Sequence, residues 1–153
     1  MPSRMTDTRP AKLEDAASIA TLSTQLGYPS TTEQAGSRLN DLLANPDHFV
    51  VVAVVDGQVS GWAHVERRIN LETVERAELM GLVVDAQARR AGIGRALVET
   101  AERWAAARHL GVMTVRSNVV RDGSHAFYRQ LGYKAVKTQH VYQKDLRDAA
   151  HRA

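Results

Sequence analysis

A strand–turn–strand segment is the feature that most constrains the fold. Residues 49–55 read FVVVAVV, the pair Asp56-Gly57 follows, and residues 59–68 form a second β-prone run. An Asp-Gly pair between two such runs is typical of a two-residue hairpin turn. An antiparallel hairpin here excludes a regular alternation of parallel strands and helices along the whole chain. The apolar run is also far too short to span a bilayer, so no membrane partner is expected.

The segments on either side of the hairpin alternate between helical and extended patterns. Thr31 and Gln34 form a capping box that opens a second helix, and Gly132 stops the last one. The patterns predict strands at residues 5–9, 73–84 and 112–117, helices at 13–26, 31–44, 92–109 and 123–131, and two closing strands within 134–146. The 153 residues suit one domain, 1–153, of the α/β class (α+β type), with a mixed sheet flanked by helices.

Composition removes several function classes. The chain contains no cysteine, which excludes disulfides, thiolate metal sites and a cysteine nucleophile. The histidines show no metal-ligand spacing, so no metal is predicted. The first twelve residues contain no apolar stretch that resembles a secretory signal, so a cytoplasmic location is expected.

Positive charge is concentrated in one part of the chain. Residues 86–129 hold eight arginines against three acids, a net charge of +5, while the rest of the chain nets −2. A basic half suits an anionic cofactor, although solvated helix faces give the same pattern. Because exposed aromatic residues are not interleaved with the arginines, no nucleic-acid partner is predicted.

A glycine-containing junction opens the long helix at residues 92–109. Gly92 and Gly94 allow backbone N–H groups to point at an anion, and the helix N-terminus adds partial positive charge. Arg89, Arg90 and Arg95 supply further donors. The spacing is not that of a dinucleotide fingerprint, since Leu97 stands where the third glycine belongs, and no lysine follows Gly94 as a P-loop requires.

This junction resembles the signature of the GNAT family of N-acetyltransferases, [Q/R]-x-x-G-x-[G/A] after a bulged strand. Here it reads Arg89-Arg90-Ala91-Gly92-Ile93-Gly94, and the segment HAFYRQLGY at residues 125–133 is similar to the family's fourth helix. The resemblance implies the GNAT fold, in which a mostly antiparallel sheet is splayed between strands 4 and 5. Gly81, inside strand 4, independently indicates a bulge or a close backbone approach.

The resemblance also implies acetyl-CoA as co-substrate. Its pantetheine arm would pair with the backbone of Leu82, Val83 and Val84, and Asn118 is a weaker candidate contact to that arm. Its pyrophosphate would lie on the amides of the signature, namely Arg89, Arg90, Ala91, Gly92, Ile93, Gly94 and Arg95. Arg121 stands where the family more often has its asparagine, and is an alternative phosphate ligand.

Catalytic roles follow from the same resemblance. Tyr128 is the candidate general acid, because a phenol pKa of about 10 is close enough to a thiol pKa of about 8.5 for proton transfer. The alternative for Tyr128 is simple aromatic packing. Glu78 is the candidate base, at the position of the glutamate in the histone-acetylating branch; the alternative is a solvent-facing strand acid. Leu82 N–H is the candidate oxyanion donor, and His125 is a lesser candidate for a relay or for packing.

The implied function is transfer of an acetyl group to a primary amine by direct attack in a ternary complex. The acids near residues 66–78 favour a cationic small-molecule acceptor, shaped by Tyr28, Glu33 and the loop at Asn70. A non-catalytic acyl-CoA sensor and a protein (lysine or N-terminal) acetyltransferase remain as alternatives. Many members of the family form dimers, which leaves a homodimer open.

Overall fold

A five-stranded sheet forms the centre of the part of the chain that ends at Arg116. The computed structural model describes residues 6–88, 92–116 and 122–147, in two compact units that divide after Arg116. The strands run in the order β1-β2-β3-β4-β5, with antiparallel neighbours except for the parallel pair β4–β5. Their bounds are Thr6–Pro10 (β1), His48–Val55 (β2), Gln58–Arg68 (β3), Arg76–Val84 (β4) and Met113–Val115 (β5). The predicted α/β class and mostly antiparallel mixed sheet are confirmed.

Three helices cover this sheet. A 3₁₀ turn at Leu13–Asp15 leads into α1 (Ala16–Gln25), and α2 (Thr32–Leu43) and α3 (Ile93–Ala107) follow. The predicted capping box at the start of α2 is confirmed, since the Thr31 side chain accepts from the Gln34 N–H and the Gln34 side chain accepts from the Thr31 N–H. Within the described ranges, no helix is long and apolar enough to cross a membrane.

The predicted hairpin is confirmed, and it contains a bulge. Asp56 and Gly57 both have positive φ, 52° and 78°, as a type I′ turn requires. Val54 pairs with Val59 but Ala53 pairs with Gly61, so Ser60 is an extra residue in β3. A one-residue slip moves side chains to the opposite face, so this bulge decides which residues of β2 and β3 lie together.

The two faces of the sheet pack against different helices. The face toward α3 is apolar: Phe49 stacks on Trp104, and Gly61 lies under Ile93 and Leu97. The face toward α1 and α2 carries a second core around Leu39, with Ala11, Val50 and Val52 buried and Ile19, Leu42 and Trp62 packed against it. Both faces are therefore covered, and the sheet divides two cores.

Strand β4 contains a second bulge, beside Gly81 as the sequence indicated. His64 pairs with Gly81 but Val65 pairs with Leu79, so Met80 is the extra residue. A Cβ at Gly81 would lie 2.9 Å from Cη2 and Cζ3 of Trp62, so only glycine fits beneath that ring. The pairing between β4 and β5 covers Ala77, Glu78 and Leu79 and no later residue in the described part of β4.

In the second unit, α4 (Asp122–Gln130) is a helix of nine residues. The two closing strands predicted within residues 134–146 are wrong: no strand is present among the described residues after α4. A strand requires a partner and a buried face that fixes its register. The apolar residues that suggested strands are instead exposed, namely Val136, Val141, Tyr142 and Leu146.

Candidate active site

Glu78 is the most deeply buried charged side chain of the described residues, with 1% of its surface exposed. It pairs with Glu66 across the β3–β4 ladder and lies before the Met80 bulge, on the face toward α1 and α2. The Arg116 Nε donates to Oε1 of Glu78 over 3.2 Å. The other oxygen, Oε2, is buried and has no hydrogen-bond partner among the residues that the structure describes.

Arg68 lies between two carboxylates on this face. Its Nη1 donates to Oε1 of Glu66 over 2.7 Å and lies 3.6 Å from Oε2 of Glu78. The hydrogen bond to Glu66, and then the charge of Glu78, raise the pKa of Arg68. Arg68 therefore stays charged, with Glu66 as its nearer partner.

Two histidines extend the cluster. Nδ1 of His48 and Nε2 of His64 lie 2.9 Å apart, and Nε2 of His48 lies 3.5 Å from Oε2 of Glu66. Burial, followed by the charge of His48, lowers the pKa of His64 to about 4, while Glu66 opposes the shift. His64 is therefore neutral at neutral pH.

Sequence reasoning found only Glu78 in this cluster. It missed Glu66 as a partner of Arg68, and it missed the two histidines because they are not at metal-ligand spacing. The available signal was the hairpin, which brings residue 48 close to residues 64–66. We refer below to His48, His64, Glu66, Arg68, Glu78 and Arg116 as the polar cluster.

The N-terminus of α3 has the features of an anion site. Gly92 is its N-cap, with a φ of 75°, and no side chain caps the helix. The first intrahelical bond runs from the Ala96 N–H to the Gly92 carbonyl oxygen, so the amides of Ile93, Gly94 and Arg95 lack helical acceptors. Ile93 and Gly94 are buried residues, and amides without helical acceptors at a helix N-terminus favour a bound anion.

The side chain of Arg95 forms an ion pair within α3 instead of extending over the start of the helix. It is exposed and bonds Glu99 one turn later, with Nε 2.8 Å from Oε1. Arg108 lies over the ring of Trp104 at 4.3 Å, and Arg103 donates to Thr100. These arginines of the basic half thus make local contacts on α3, as the solvated-face alternative expected.

Leu82, Val83 and Val84 follow the Met80 bulge. They pair with Ala63, Trp62 and Gly61 of β3, while in the described residues β5 reaches only as far as Leu79. Their other backbone edge thus has no strand beside it in the described ranges. The bulge also separates faces, because Leu82 and Val84 lie toward α3 whereas Glu78 lies toward α1 and α2.

Tyr128 belongs to the second unit, on α4. Its half-buried ring makes edge contacts with Phe127 and Tyr133, at centroid distances of 5.1 and 5.9 Å. The Tyr128 carbonyl oxygen accepts from the N–H groups of Leu131 and Tyr133, which fixes the turn after the helix. Burial raises the pKa of the Tyr128 phenol, so it is protonated at neutral pH.

The remaining predicted residues divide into two groups. His125 is half-buried on α4, Tyr28 and Glu33 are exposed, and Asn70 orders its loop by accepting from the N–H groups of Glu72 and Thr73. The described ranges contain no group of three or more potential ligands able to hold a metal ion. Five predicted residues lie outside the described residues: Arg89, Arg90, Ala91, Asn118 and Arg121.

Comparisons with known proteins agree with the sequence motifs. The model of the acetyltransferase (GNAT) family matches residues 13–133. An uncharacterised N-acetyltransferase, CT2212 of Chlorobaculum tepidum, is 32% identical over 99% of this chain and 90% of its own length. These matches span most of the chain.

Two further comparisons concern aminoglycoside acetyltransferases. The type 1 aminoglycoside N(6')-acetyltransferase of Klebsiella aerogenes is 27% identical over 90% of this chain and 95% of its own. Among solved structures, aminoglycoside N-acetyltransferase AAC(6')-Iy in complex with CoA superposes with a TM-score of 0.83 at 18% identity. That superposition covers 94% of this chain and 97% of the other. At 18% identity, this structural likeness shows a shared fold.

Proposed function

The chain belongs to the GNAT family and is an acetyl-CoA-dependent N-acetyltransferase, and from this premise we propose that its acceptor is a primary amine of a cationic small molecule. The observation that carries the proposal is Oε2 of Glu78, a buried carboxylate oxygen without a hydrogen-bond partner in the described chain. An unpartnered buried acceptor is costly, and an ammonium group would satisfy it.

The polar cluster suits an amine that arrives charged and must lose a proton. Oε1 of Glu78 is held by Arg116, which leaves Oε2 to receive the ammonium. Glu78 then takes the proton, directly or through a water molecule, and the neutral nitrogen attacks the thioester carbonyl. Because the chain has no cysteine, it offers no acetyl-cysteine intermediate, which favours direct attack.

Collapse of the tetrahedral intermediate breaks the carbon–sulfur bond. In this proposal the backbone N–H of Leu82, next to the bulge, stabilises the oxyanion. The phenol of Tyr128 gives its proton to the departing thiolate, the attacking nitrogen loses its second proton to solvent to become a neutral amide, and the phenolate is reprotonated by solvent. The amides at the start of α3 hold the pyrophosphate, with Arg89, Arg90 and Ala91 completing the signature loop, and Asn118 contacts the pantetheine arm.

Aminoglycosides are the acceptor class we place first. A relative of this chain and a protein of the same fold are both named for acetylating aminoglycosides. Such compounds carry several ammonium groups, and one of them would satisfy Oε2 of Glu78. Polyamines have the same charge character and come second.

Release of free CoA thiol measures this function directly. The panel contains kanamycin A, spermidine, benzylamine and a lysine-containing peptide, each with acetyl-CoA. We expect kanamycin A or spermidine to give the fastest acceptor-dependent release, and the absence of cysteine removes protein background. Faster release with the lysine peptide would favour a protein acetyltransferase. Tight CoA binding without release for any amine would favour a sensor.

Replacing Tyr128 tests the proposed acid. Tyr128→Phe keeps the ring contacts, so we expect a folded protein whose kcat falls by about 100-fold, the lower end for loss of general acid catalysis. The matched control is Tyr133→Phe, which removes a hydroxyl from the ring packed against Tyr128. Equal activity in the two variants would contradict the assignment.

A further inference from the structure

Two arginines of the polar cluster lie beside the carboxylate of Glu78. Arg116 occupies Oε1, and Arg68 lies within 3.6 Å of Oε2 without bonding it. A charge-assisted N–H···O bond is about 2.8 Å long, so a movement of ~0.8 Å would let Arg68 occupy Oε2. Arg68 is therefore a built-in competitor for the position that the proposed function gives to the acceptor ammonium.

Glu66 is the group that opposes this movement. Its Oε1 accepts the 2.7 Å bond from the same Nη1 that faces Glu78, so one nitrogen is shared unequally by two carboxylates. Glu66 is itself fixed, because it lies directly opposite His48 and Glu78 in the ladders and its other oxygen faces Nε2 of His48 at 3.5 Å. Its side chain is 14% exposed, which limits screening of the bond by solvent.

We propose that Glu66 is a positioning residue that holds Arg68 away from Oε2 of Glu78, so that this oxygen stays free for the acceptor ammonium. The inference rests on the proposed function, because it makes Glu66 responsible for keeping the acceptor site at Glu78 open. It accounts for two observations together, namely a buried carboxylate oxygen without a partner and an arginine that stops just short of it.

Removing the charge of Glu66 favours movement of Arg68 toward Glu78. Without the charge of Glu66, Glu78 is the remaining acidic partner of Arg68 among the described residues, and bonds to ionised groups are roughly twice as strong as neutral ones. The Arg68 side chain is flexible and 37% exposed, so it can rotate toward Glu78. Acceptor binding then requires displacing a guanidinium, which raises the acceptor KM and leaves acetyl-CoA binding unchanged.

The first test is the crystal structure of Glu66→Gln. We expect Nη1 of Arg68 to move within hydrogen-bond distance of Oε2 of Glu78. An Arg68 that stays on the side chain at position 66 would overturn the proposal. This measurement needs no acceptor, so it decides the Arg68 question for any substrate.

The second test is kinetic, with kanamycin A as acceptor. In Glu66→Gln we expect the kanamycin KM to rise about tenfold, with kcat and the acetyl-CoA KM within twofold of the parent. The double variant Glu66→Gln/Arg68→Met removes the competitor, and its kanamycin KM should return to within about twofold of the parent value. A purely structural role for Glu66 predicts the reverse, because the double variant loses more contacts; failure of this rescue would overturn the proposal.

Glu78→Gln separates this inference from the proposed function. If that variant retains normal kanamycin kinetics, the assignment of Glu78 fails and the inference with it. If Glu78→Gln is impaired while Glu66→Gln behaves as the parent, only the role of Glu66 is overturned.

Discussion

The two faces of one sheet have opposite characters, although they are built from the same three strands. Toward α3, the central residues of β2, β3 and β4 are small and apolar and are almost completely buried, namely Val51, Ala53, Ala63, Val65, Ala77 and Leu79. Toward α1 and α2, the same strands carry Val50 and Val52 at one end and, at the other, five members of the polar cluster, namely His48, His64, Glu66, Arg68 and Glu78. The α3 face thus supplies stability, and the α1/α2 face adds a place for charge.

This comparison explains why neighbouring residues have unrelated roles. Glu78 and Leu79 are adjacent and both are buried, at 1% and 4% exposure, yet they point to opposite faces. A buried apolar side chain contributes through the area removed from water. A buried carboxylate is costly, and only its interactions compensate. Substitutions at these two positions should therefore affect different properties.

The largest effects are expected at this adjacent pair. Glu78→Gln should lower kcat/KM by about 100-fold, since it removes the proposed base, while stability changes little because Arg68 and Arg116 both reach solvent. Leu79→Ala should cost about 2–5 kcal/mol of unfolding free energy and leave kcat of the folded fraction near normal. Urea unfolding and steady-state kinetics on both variants measure the two quantities.

The same two variants can also contradict the distinction between the two faces. If Glu78→Gln lost stability as Leu79→Ala does, without a change in kcat, then Glu78 would serve the fold and not the chemistry. The exposed ion pair of Arg95 and Glu99 on α3 provides a neutral reference, since Glu99→Gln should change stability by less than about 1 kcal/mol.

Gly61 tests how tightly the α3 face is packed. A Cβ at this position would lie 2.9 Å from the Val83 carbonyl oxygen and 3.1 Å from Cγ2 of Ile93 and Cδ1 of Leu97. Because a backbone atom cannot rotate away, Gly61→Ala should destabilise the protein by about 3 kcal/mol, the upper range for overpacking. Thermal unfolding measures the change, and a melting temperature equal to that of the parent would show that β3 and α3 can separate without cost.

Up to the end of α4, the sequence predicted the helices and strands well, but it predicted poorly which residues share a face of the sheet. The Asp56-Gly57 turn, the capping box at Thr31 and the bulge beside Gly81 all have local signatures, and each is confirmed. The two-residue turn alone would place His48 opposite residue 65. The bulge at Ser60 shifts the register by one and places His48 opposite Glu66 instead.

A similar shift in β4 decides the position of Glu78. Simple alternation puts residues 78, 80, 82 and 84 on one face, but the extra residue Met80 separates Glu78 from Leu82 and Val84. Gly81 marks the bulge without fixing which residue is extra, because that choice depends on packing under Trp62. The polar cluster thus depends on two one-residue shifts whose exact positions no local pattern specifies.

The pH dependence of stability tests the role of His64 in the polar cluster. Its pKa is about 4 in the folded protein and near 6.5 in the unfolded chain, so between these values the unfolded state binds more protons. Stability should therefore fall as pH decreases from about 6.5 to about 4, by about 2 kcal/mol once partial solvent exposure is discounted. The measurement is the urea midpoint of the parent and of His64→Gln at pH 7, 5.5 and 4.5.

His64→Gln should flatten this dependence, while the exposed His140→Gln should keep it. If the urea midpoint depends on pH with the same slope in the parent and in His64→Gln, His64 is not the cause of the dependence, and other groups on this face bind the protons. The neighbouring ionisable groups there are His48, Glu66, Arg68, Glu78 and Arg116.

The smallest expected effect has the opposite sign and lies in the helical layer that covers the α1/α2 face. Gly36 is inside α2, and among the described residues a Cβ there would meet Cβ of Ala16 alone, at an ordinary 3.7 Å. Gly36→Ala should therefore raise the unfolding free energy by about 0.5–1 kcal/mol, because alanine restricts the unfolded chain and favours the helix. Together with Gly61→Ala it forms a matched pair in which the same added methyl group stabilises one layer and destabilises the other. If both variants lost stability, the α1–α2 layer would be packed as tightly as the α3 face, and the distinction between the two faces would be one of charge alone.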